Sequence, residues 1–186
     1  IVKNIPADAH AILTDVTSSY AVLALMGPRS RDLLAKLSSA DLSNGGFPFA
    51  TIREIDIGYA TAYANRMTYV GELGWELIVP TEFAVGVYEA LHEAGREFGL
   101  ADAGYYALDA LRIEKGFRAW GRELTPDINP WQAGLGFAVA MDKPGGFIGR
   151  DALAAAKSSS APTRRIVLFT TDDAEPMLWG GGLILR

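Results

Sequence analysis

The sequence predicts an α+β fold in which several antiparallel strands pack against helices. Apolar and polar residues alternate over residues 75–79, which is the period of a β-strand, and Gly71 and Gly74 mark a turn before that strand. Residues 81–98 and 105–115 carry apolar side chains at the spacing of a helix. A strand pattern followed by two helix patterns therefore predicts the α+β fold class.

Further strands are predicted before that turn, because short apolar runs there end at serine, glycine or proline. Gly27-Pro28 ends one of these strands, and Pro28 suits the first turn of a helix over 29–38. Leu33, Leu34 and Leu37 give this helix an apolar face. The predicted strands cover residues 11–16, 20–26, 52–57 and 60–69.

The two long helices have recognisable ends. Thr81 is the predicted N-cap of the first helix, and Gly99 ends it. In the second helix Asp109 and Arg112 are three residues apart and can pair. The ordinary interpretation of such a pair is a solvated ion pair that contributes about 0–1 kcal/mol.

The last third of the chain is predicted to contain a strand, a turn, a short helix and the start of a further strand. A Ser-rich stretch over 158–162 resembles a linker, and it is the one candidate domain boundary. We therefore expect one domain over 1–157 and a second that begins at 163 and continues to 186. The predicted elements are a strand at 135–141, a turn at 143–146, a helix at 150–157 and a strand at 165–171.

Composition excludes several classes of function. A net charge of −5 without a basic cluster argues against nucleic acid as a partner. The chain has no cysteine and two histidines far apart, so no metal site is expected. No apolar run is long enough for a bilayer, so no membrane partner is expected. We expect a cytoplasmic protein, or one of the mitochondrial matrix in a eukaryote.

Both ends of the chain indicate a longer parent protein. The first residue is Ile1 rather than methionine, and the last residues, 182–186, are an apolar run with no turn after it. We therefore expect that segments of the parent lie before and after these 186 residues.

Several stretches together resemble the folate-binding aminomethyltransferase family. They read Y-V-G-E-L-G-W-E at 69–76, A-L-D-A-L-R-I-E-K-G at 107–116, F-R-A-W-G-R-E-L-T-P at 117–126, A-G-L-G-F at 133–137 and F-I-G-R at 147–150. That family includes the T-protein of the glycine cleavage system and the C-terminal halves of FAD-dependent dimethylglycine and sarcosine dehydrogenases. The sequence E-K-G-F-R-A-W-G at 114–121 resembles the dehydrogenases more than it resembles the T-proteins.

The resemblance implies a fold and a set of ligand-binding residues. It makes residues 1–157 an N-terminally truncated folate-binding domain and 163–186 the start of a small C-terminal β-barrel. On local pattern alone Glu76 is a surface glutamate on a hairpin, but it matches the family position that recognises the pterin ring of folate. Tyr69 matches a family tyrosine, whose ring could pack against the folate. Phe117, Arg118 and Trp120 could add aromatic walls or a cation, although apolar packing is the ordinary role of Phe117 and Trp120.

The function that the resemblance implies is capture of a one-carbon unit. A flavin domain upstream oxidises an N-methyl amine, and the folate domain transfers the carbon to tetrahydrofolate, giving 5,10-methylenetetrahydrofolate. Two alternatives stay open: a free-standing glycine cleavage T-protein, and a non-enzymatic folate-binding protein that assists iron–sulfur assembly. The second usually carries a K-G-C-Y motif, whereas this chain has Phe117 after Lys115-Gly116.

Two departures from the family limit the expected activity. Leu108 stands where T-proteins commonly have an arginine, which again favours the dehydrogenases. The family's catalytic aspartate belongs to a segment upstream of Ile1, and neither Asp15 nor Asp56 matches its motif. The glycines at 180–182 do not form a flavin-binding motif, so FAD is expected in an upstream domain. We expect these 186 residues alone to be inactive.

Overall fold

The computed structural model describes residues 2–158, 164–173, 175, 178 and 180–183. The chain divides into two compact units, Ile1–Phe117 and Arg118–Arg186. The predicted linker lies mostly outside the described residues, so the predicted boundary between domains near 158–162 stays a prediction.

One antiparallel sheet of four strands forms the centre of the first unit. Its spatial order is β1-β4-β3-β2, so β4 is an inner strand with a hydrogen-bonded neighbour on each side. Helices pack on this sheet, which confirms the α+β class. The strands are β1 Tyr20–Met26, β2 Ile52–Ile57, β3 Ala60–Asn65 and β4 Gly74–Pro80.

The alternation predicted for β4 is confirmed. Trp75, Leu77 and Val79 are completely buried in the core. Glu76 and Ile78 lie on the opposite face of the strand and are half-buried. Because β4 is paired with a strand on each side, a residue of β4 reaches solvent only if its side chain lies on the face of the sheet opposite the core.

The described part of this unit contains three α-helices: α1 Ser30–Leu34, α2 Ala84–Gly95 and α3 Tyr105–Glu114. Leu33 and Leu34 of α1 are buried in the core, although α1 is shorter than predicted. The 3-10 turns Thr81–Phe83 and Arg96–Phe98 extend α2 at both ends. Gly99 then ends the helix in a left-handed conformation with φ of 71°, as predicted.

Thr81 is not the N-cap that the sequence predicts. Its hydroxyl donates to the Ser18 carbonyl at 2.9 Å and makes no capping hydrogen bond. Ser18 belongs to the 3-10 turn Thr17–Ser19 just before β1, so Thr81 joins the start of β1 to the end of β4.

The prediction of a strand at 11–16 is wrong. A 3-10 turn, Thr17–Ser19, precedes β1, and Ile12, Leu13 and Val16 are largely exposed. An apolar run becomes a strand only where another strand can pair with it, and β1 pairs with β4 instead.

β3 is shorter than the predicted strand at 60–69 and ends at Asn65. Beyond it, the Thr68 hydroxyl accepts hydrogen bonds from the backbone N–H groups of Val70, at 3.3 Å, and Gly71, at 3.0 Å. These local bonds favour a loop over continued pairing with a neighbouring strand.

The second unit contains α4, Arg150–Ser158, which confirms the predicted helix there. The turn at 143–146 is confirmed by a hydrogen bond from the Gly146 N–H to the Lys143 carbonyl at 2.9 Å. Trp131 Nε1 donates to the carbonyl of Leu153 at 3.0 Å, which fastens the preceding loop to α4.

Two predicted strands of the second unit are wrong. Residues 135–141 contain the 3-10 turn Gly136–Ala138, and Gly134 before it has a positive φ of 70°, which interrupts an extended chain. Residues 165–171 form no strand in the described part of the chain: the Ile166 N–H donates to the Gln132 carbonyl at 2.9 Å, and Val167, Leu168 and Phe169 are more than half exposed. The predicted start of a β-barrel therefore has no strand in the described part of 163–186.

Candidate functional site

Glu76 lies on the face of β4 that points away from the core. In the register of the sheet it stands between Ala24 of β1 and Asn65 of β3. Asn65 Nδ2 donates to Glu76 Oε2 at 3.0 Å. Among the described residues Oε1 has no hydrogen-bond partner, so one carboxylate oxygen can still accept from a ligand.

Apolar and aromatic side chains surround this pair on the same face. Ile78 lies opposite Val22 on one side and Tyr63 on the other, and directly opposite residues share a face of the sheet. Val22 is 60% exposed and Tyr63 is 43% exposed. The face can therefore accept a flat, partly apolar ligand whose N–H groups reach Glu76.

Tyr69 lies half-buried in the loop that joins β3 to β4. The next residues of this loop contact α3: an added Cβ on Gly71 would lie 2.2 Å from Lys115 Cγ. The end of α3 therefore packs directly on the loop, so two of the stretches that carry the family resemblance, 69–76 and 107–116, meet here.

A cavity of about 480 Å³ extends this arrangement within the first unit. Val70 and Glu72 of the loop and Leu108 and Leu111 of α3 line it, together with the edge strand β1. Ala24, which lies opposite Glu76 in the sheet, is also part of the lining. Leu108, which stands where T-proteins commonly have an arginine, is therefore part of a largely apolar wall of this cavity.

Three polar side chains interact at the side of this cavity formed by α2. Tyr88 Oη donates to Asp102 Oδ2 at 2.8 Å, and His92 Nε2 lies 3.0 Å from Asp102 Oδ1. The hydrogen bonds from Tyr88 and His92 hold the pKa of the Asp102 carboxyl below its usual value. This cluster fastens the segment before α3 to α2, so it supports the wall of the cavity.

The pairing of Asp109 with Arg112 is confirmed, but the solvated interpretation is wrong. Arg112 Nε lies 3.1 Å from Asp109 Oδ1, and the Arg112 side chain is only 3% exposed. Arg112 Nη1 also donates to the Phe117 carbonyl at 3.0 Å. The helix buries this face against the chain that follows it, so the guanidinium fixes the exit from α3.

The other predicted site residues lie close to the division between the units. Phe117 closes the first unit, is 38% exposed, and donates its backbone N–H to the Arg112 carbonyl at 2.9 Å. Arg118 and Trp120 belong to the second unit, where Trp120 is 91% exposed and lines a cavity of about 510 Å³. Their role toward a ligand stays a prediction.

Sequence reasoning did not find Asn65, although it is the direct neighbour of Glu76. Asn65 can be identified as a site residue only when the register between β3 and β4 is known. In that register Asn65 pairs with Glu76, and Tyr63 pairs with Ile78. The sequence feature that could have indicated Asn65 is a polar residue at the end of the strand before β4, because consecutive antiparallel strands bring such a residue beside its neighbour.

Replacing Gly71 by alanine is expected to lower the free energy of unfolding by about 1–2 kcal/mol. The φ of 78° is a conformation that other residues rarely adopt, and the new Cβ would also displace the Lys115 side chain. Chemical denaturation measures the change.

Gly86→Ala is the matched control, because Gly86 lies inside α2 with nothing within 4 Å of an added Cβ. It should stabilise the protein by about 0.5–1 kcal/mol. Equal effects of the two changes would contradict the conformational role of Gly71.

Comparison with known proteins identifies related domains. The model of the GCVT N-terminal domain matches residues 1–143. The 4-methylaminobutanoate oxidase (formaldehyde-forming) of Paenarthrobacter nicotinovorans is 43% identical over 94% of this chain and 21% of its own length. The mitochondrial dimethylglycine dehydrogenase of Mus musculus is 43% identical over 88% of this chain and 19% of its own.

A transferase is also among the relatives. The aminomethyltransferase of Caldanaerobacter subterraneus subsp. tengcongensis is 41% identical over 84% of this chain and 41% of its own length. These three relatives are enzymes by name. The chain spans about a fifth of the length of the oxidase and the dehydrogenase.

Proposed function

Because the chain belongs to the family of the GCVT N-terminal domain, we propose that it is the folate-binding part of an FAD-dependent dehydrogenase of a small N-methyl amine. In this proposal a flavin domain of the parent chain oxidises the amine. The part described here captures the one-carbon unit on tetrahydrofolate, which leaves as 5,10-methylenetetrahydrofolate. Two relatives are named for the N-methyl amines 4-methylaminobutanoate and dimethylglycine, and this supports the substrate class.

The carboxylate of Glu76 carries the proposal. A reduced pterin ring presents adjacent N–H and amino donors, and one ionised carboxylate can accept from both in a bidentate pair. Asn65 already donates to Oε2 and so orients the group, while Oε1 has no partner among the described residues. The half-buried position strengthens such a charge-assisted bond relative to bulk water.

The surroundings of Glu76 also suit folate. The exposed Tyr63 and Val22 and the half-buried Ile78 between them offer apolar surface on which a flat ring can lie. Tyr69, Phe117, Arg118 and Trp120 are the further residues that we propose for ligand contacts. Bound tetrahydrofolate would supply the nucleophilic nitrogen that accepts the one-carbon unit, and the chain's own residues would bind and orient it.

Glycine cleavage aminomethyltransferase is the second candidate, because one relative carries that name and aligns with most of this chain. The two candidates share the folate site and differ in what precedes it. A parent protein that contains FAD supports the dehydrogenase, whereas a flavin-free parent supports the transferase. The mitochondrial name of the dehydrogenase relative supports a matrix location in a eukaryotic source, and a bacterial parent would place the domain in the cytoplasm.

Titration calorimetry of this chain under anaerobic conditions tests the folate site. Tetrahydrofolate should bind with a saturable one-to-one isotherm. p-Aminobenzoylglutamate, which has the tail of folate without the pterin, should bind at least tenfold more weakly because it offers nothing to Glu76. Equal affinities for the two ligands would contradict pterin recognition by this face.

None of the helices in the described part of the chain is long and apolar enough to cross a membrane. The partners that we propose are the folate, the N-methyl amine and the flavin domain of the same parent chain.

A further inference from the structure

Two guanidinium groups converge on a single neutral oxygen in the first unit. Arg31 Nη2 donates to Asn44 Oδ1 at 2.6 Å, and Arg66 Nη2 donates to the same atom at 2.8 Å. Arg31 belongs to α1, Arg66 follows β3, and Asn44 lies in the loop between α1 and β2. Asn44 is exposed, so the meeting point of the three side chains is open to solvent.

Neither arginine forms an ion pair with a carboxylate among the described residues. Asp41 belongs to the same loop, but its carboxylate is held by hydrogen bonds from Ser43, and the nearby charge that acts on it is Arg53. Glu72 lines a depression of about 200 Å³ together with Arg66 without pairing with it. The two guanidinium groups therefore share the Asn44 amide oxygen, and Arg66 Nη1 also donates to the Phe47 carbonyl; neither acceptor carries a net charge.

This arrangement is electrostatically incomplete. The Nε atoms of both Arg31 and Arg66 are buried and have no hydrogen-bond partner among the described residues. Burial lowers the pKa of the Arg66 guanidinium, and the nearby charge of Arg31 lowers it further. Two close cations in a partly dehydrated site repel each other, and one anion between them would turn repulsion into attraction.

We propose that Arg31 and Arg66 form a binding site for an oxyanion, either a carboxylate or a phosphate group. Guanidinium groups present two N–H donors in a plane, the geometry that matches the two oxygens of such an anion. The anion would take the place of the Asn44 amide oxygen. The exposed Asn44 side chain can turn to another rotamer, while the Gly46 N–H keeps its hydrogen bond to Ser43 Oγ and the loop backbone stays in place.

This site is separate from the Glu76 face. Arg66 lies over the ring of Trp75, with 5.8 Å from Cζ to the ring centre, and Trp75 points into the core. Glu76 and Asn65 point to the opposite side of the sheet. The oxyanion site thus goes beyond the proposed folate site, and the failure of one would leave the other untouched.

Thermal unfolding of the chain in inorganic phosphate and in malonate tests the proposal, with ionic strength held constant by potassium chloride. A saturable rise in midpoint of about 3–6 °C is expected at tenfold excess over the dissociation constant. Arg31→Gln should reduce that rise to below about 1 °C. In chloride alone the variant should be no less stable than the parent sequence, because one of two repelling charges is gone.

Arg29→Gln is the matched control. It removes an arginine two residues away that is already paired with Asp32 at 2.7 Å, so the response to anions should persist. A response to phosphate alone or to malonate alone would support the site and identify the class of anion. Absence of a saturable response, or the same response in Arg31→Gln, would overturn the proposal.

Discussion

Replacing Trp75 by alanine is expected to lower the free energy of unfolding by about 3–5 kcal/mol. Trp75 is completely buried on the inner strand β4, and its ring meets Phe47 edge to face with 6.0 Å between ring centres. This loss of stability includes the lost free energy of burying the apolar side chain and the cost of the cavity that remains. Since domains of this size are stable by about 5–15 kcal/mol, this change should remove a large fraction of the total stability.

Equilibrium unfolding in urea, followed by circular dichroism, measures this loss. Ile78→Ala is a suitable control because Ile78 lies on the same strand but on the half-buried opposite face. It should cost clearly less than Trp75→Ala. A similar cost for both would mean that the second face is as tightly packed as the core, which would also argue against a ligand site there.

The sequence predicts the inner strand well because its pattern reports burial on one side. The alternation at Trp75, Leu77 and Val79 and the glycine at position 99 depend on local geometry: a strand with one buried face and a helix end that needs a positive φ. Features of this kind are encoded within a few neighbouring residues.

Strand partners are not encoded in the same local way. Residues 11–16 and 165–171 have the composition of strands, yet both are largely exposed and form no strand in the described part of the chain. Whether an apolar run becomes a strand depends on distant residues that supply hydrogen bonds. The burial of Arg112 was not predicted for a related reason. Helical spacing predicts that Arg112 pairs with Asp109, but it does not predict which other residues pack over the guanidinium.

The candidate site shows the same division. Motif resemblance selected Glu76, but Asn65 became visible only through the register of β3 and β4. The Arg31–Asn44–Arg66 contact joins three separate elements, and no spacing along the chain predicts it.

Replacing Glu76 by glutamine should weaken tetrahydrofolate binding about tenfold to a hundredfold, while the thermal midpoint moves little. Hydrogen bonds to a charged group contribute about 1.5–3 kcal/mol, and the amide keeps the shape but loses the charge and one acceptor. Stability should be nearly unchanged, because the side chain is half-buried and its oxygen can still accept from Asn65. Calorimetry and thermal unfolding give the two values.

Glu54→Gln is the matched control for this change. Glu54 of β2 pairs with Tyr63, so it lies on the same sheet face as Glu76 and carries the same charge, but it is exposed near the edge of the sheet. Its replacement should leave folate affinity within about twofold, since exposed charges act weakly through water. Equal losses in both variants would show that the face attracts folate only by general electrostatics.

In the full parent protein, the same Glu76→Gln change should separate oxidation from capture. If a flavin domain oxidises the amine and this domain captures the carbon, bleaching of the flavin by the amine should persist. Free formaldehyde should rise, because an uncaptured iminium adds water and splits into formaldehyde and the demethylated amine. Loss of flavin bleaching would show that the two steps share residues. A parent without flavin would support the aminomethyltransferase, in which the same change should abolish the only reaction.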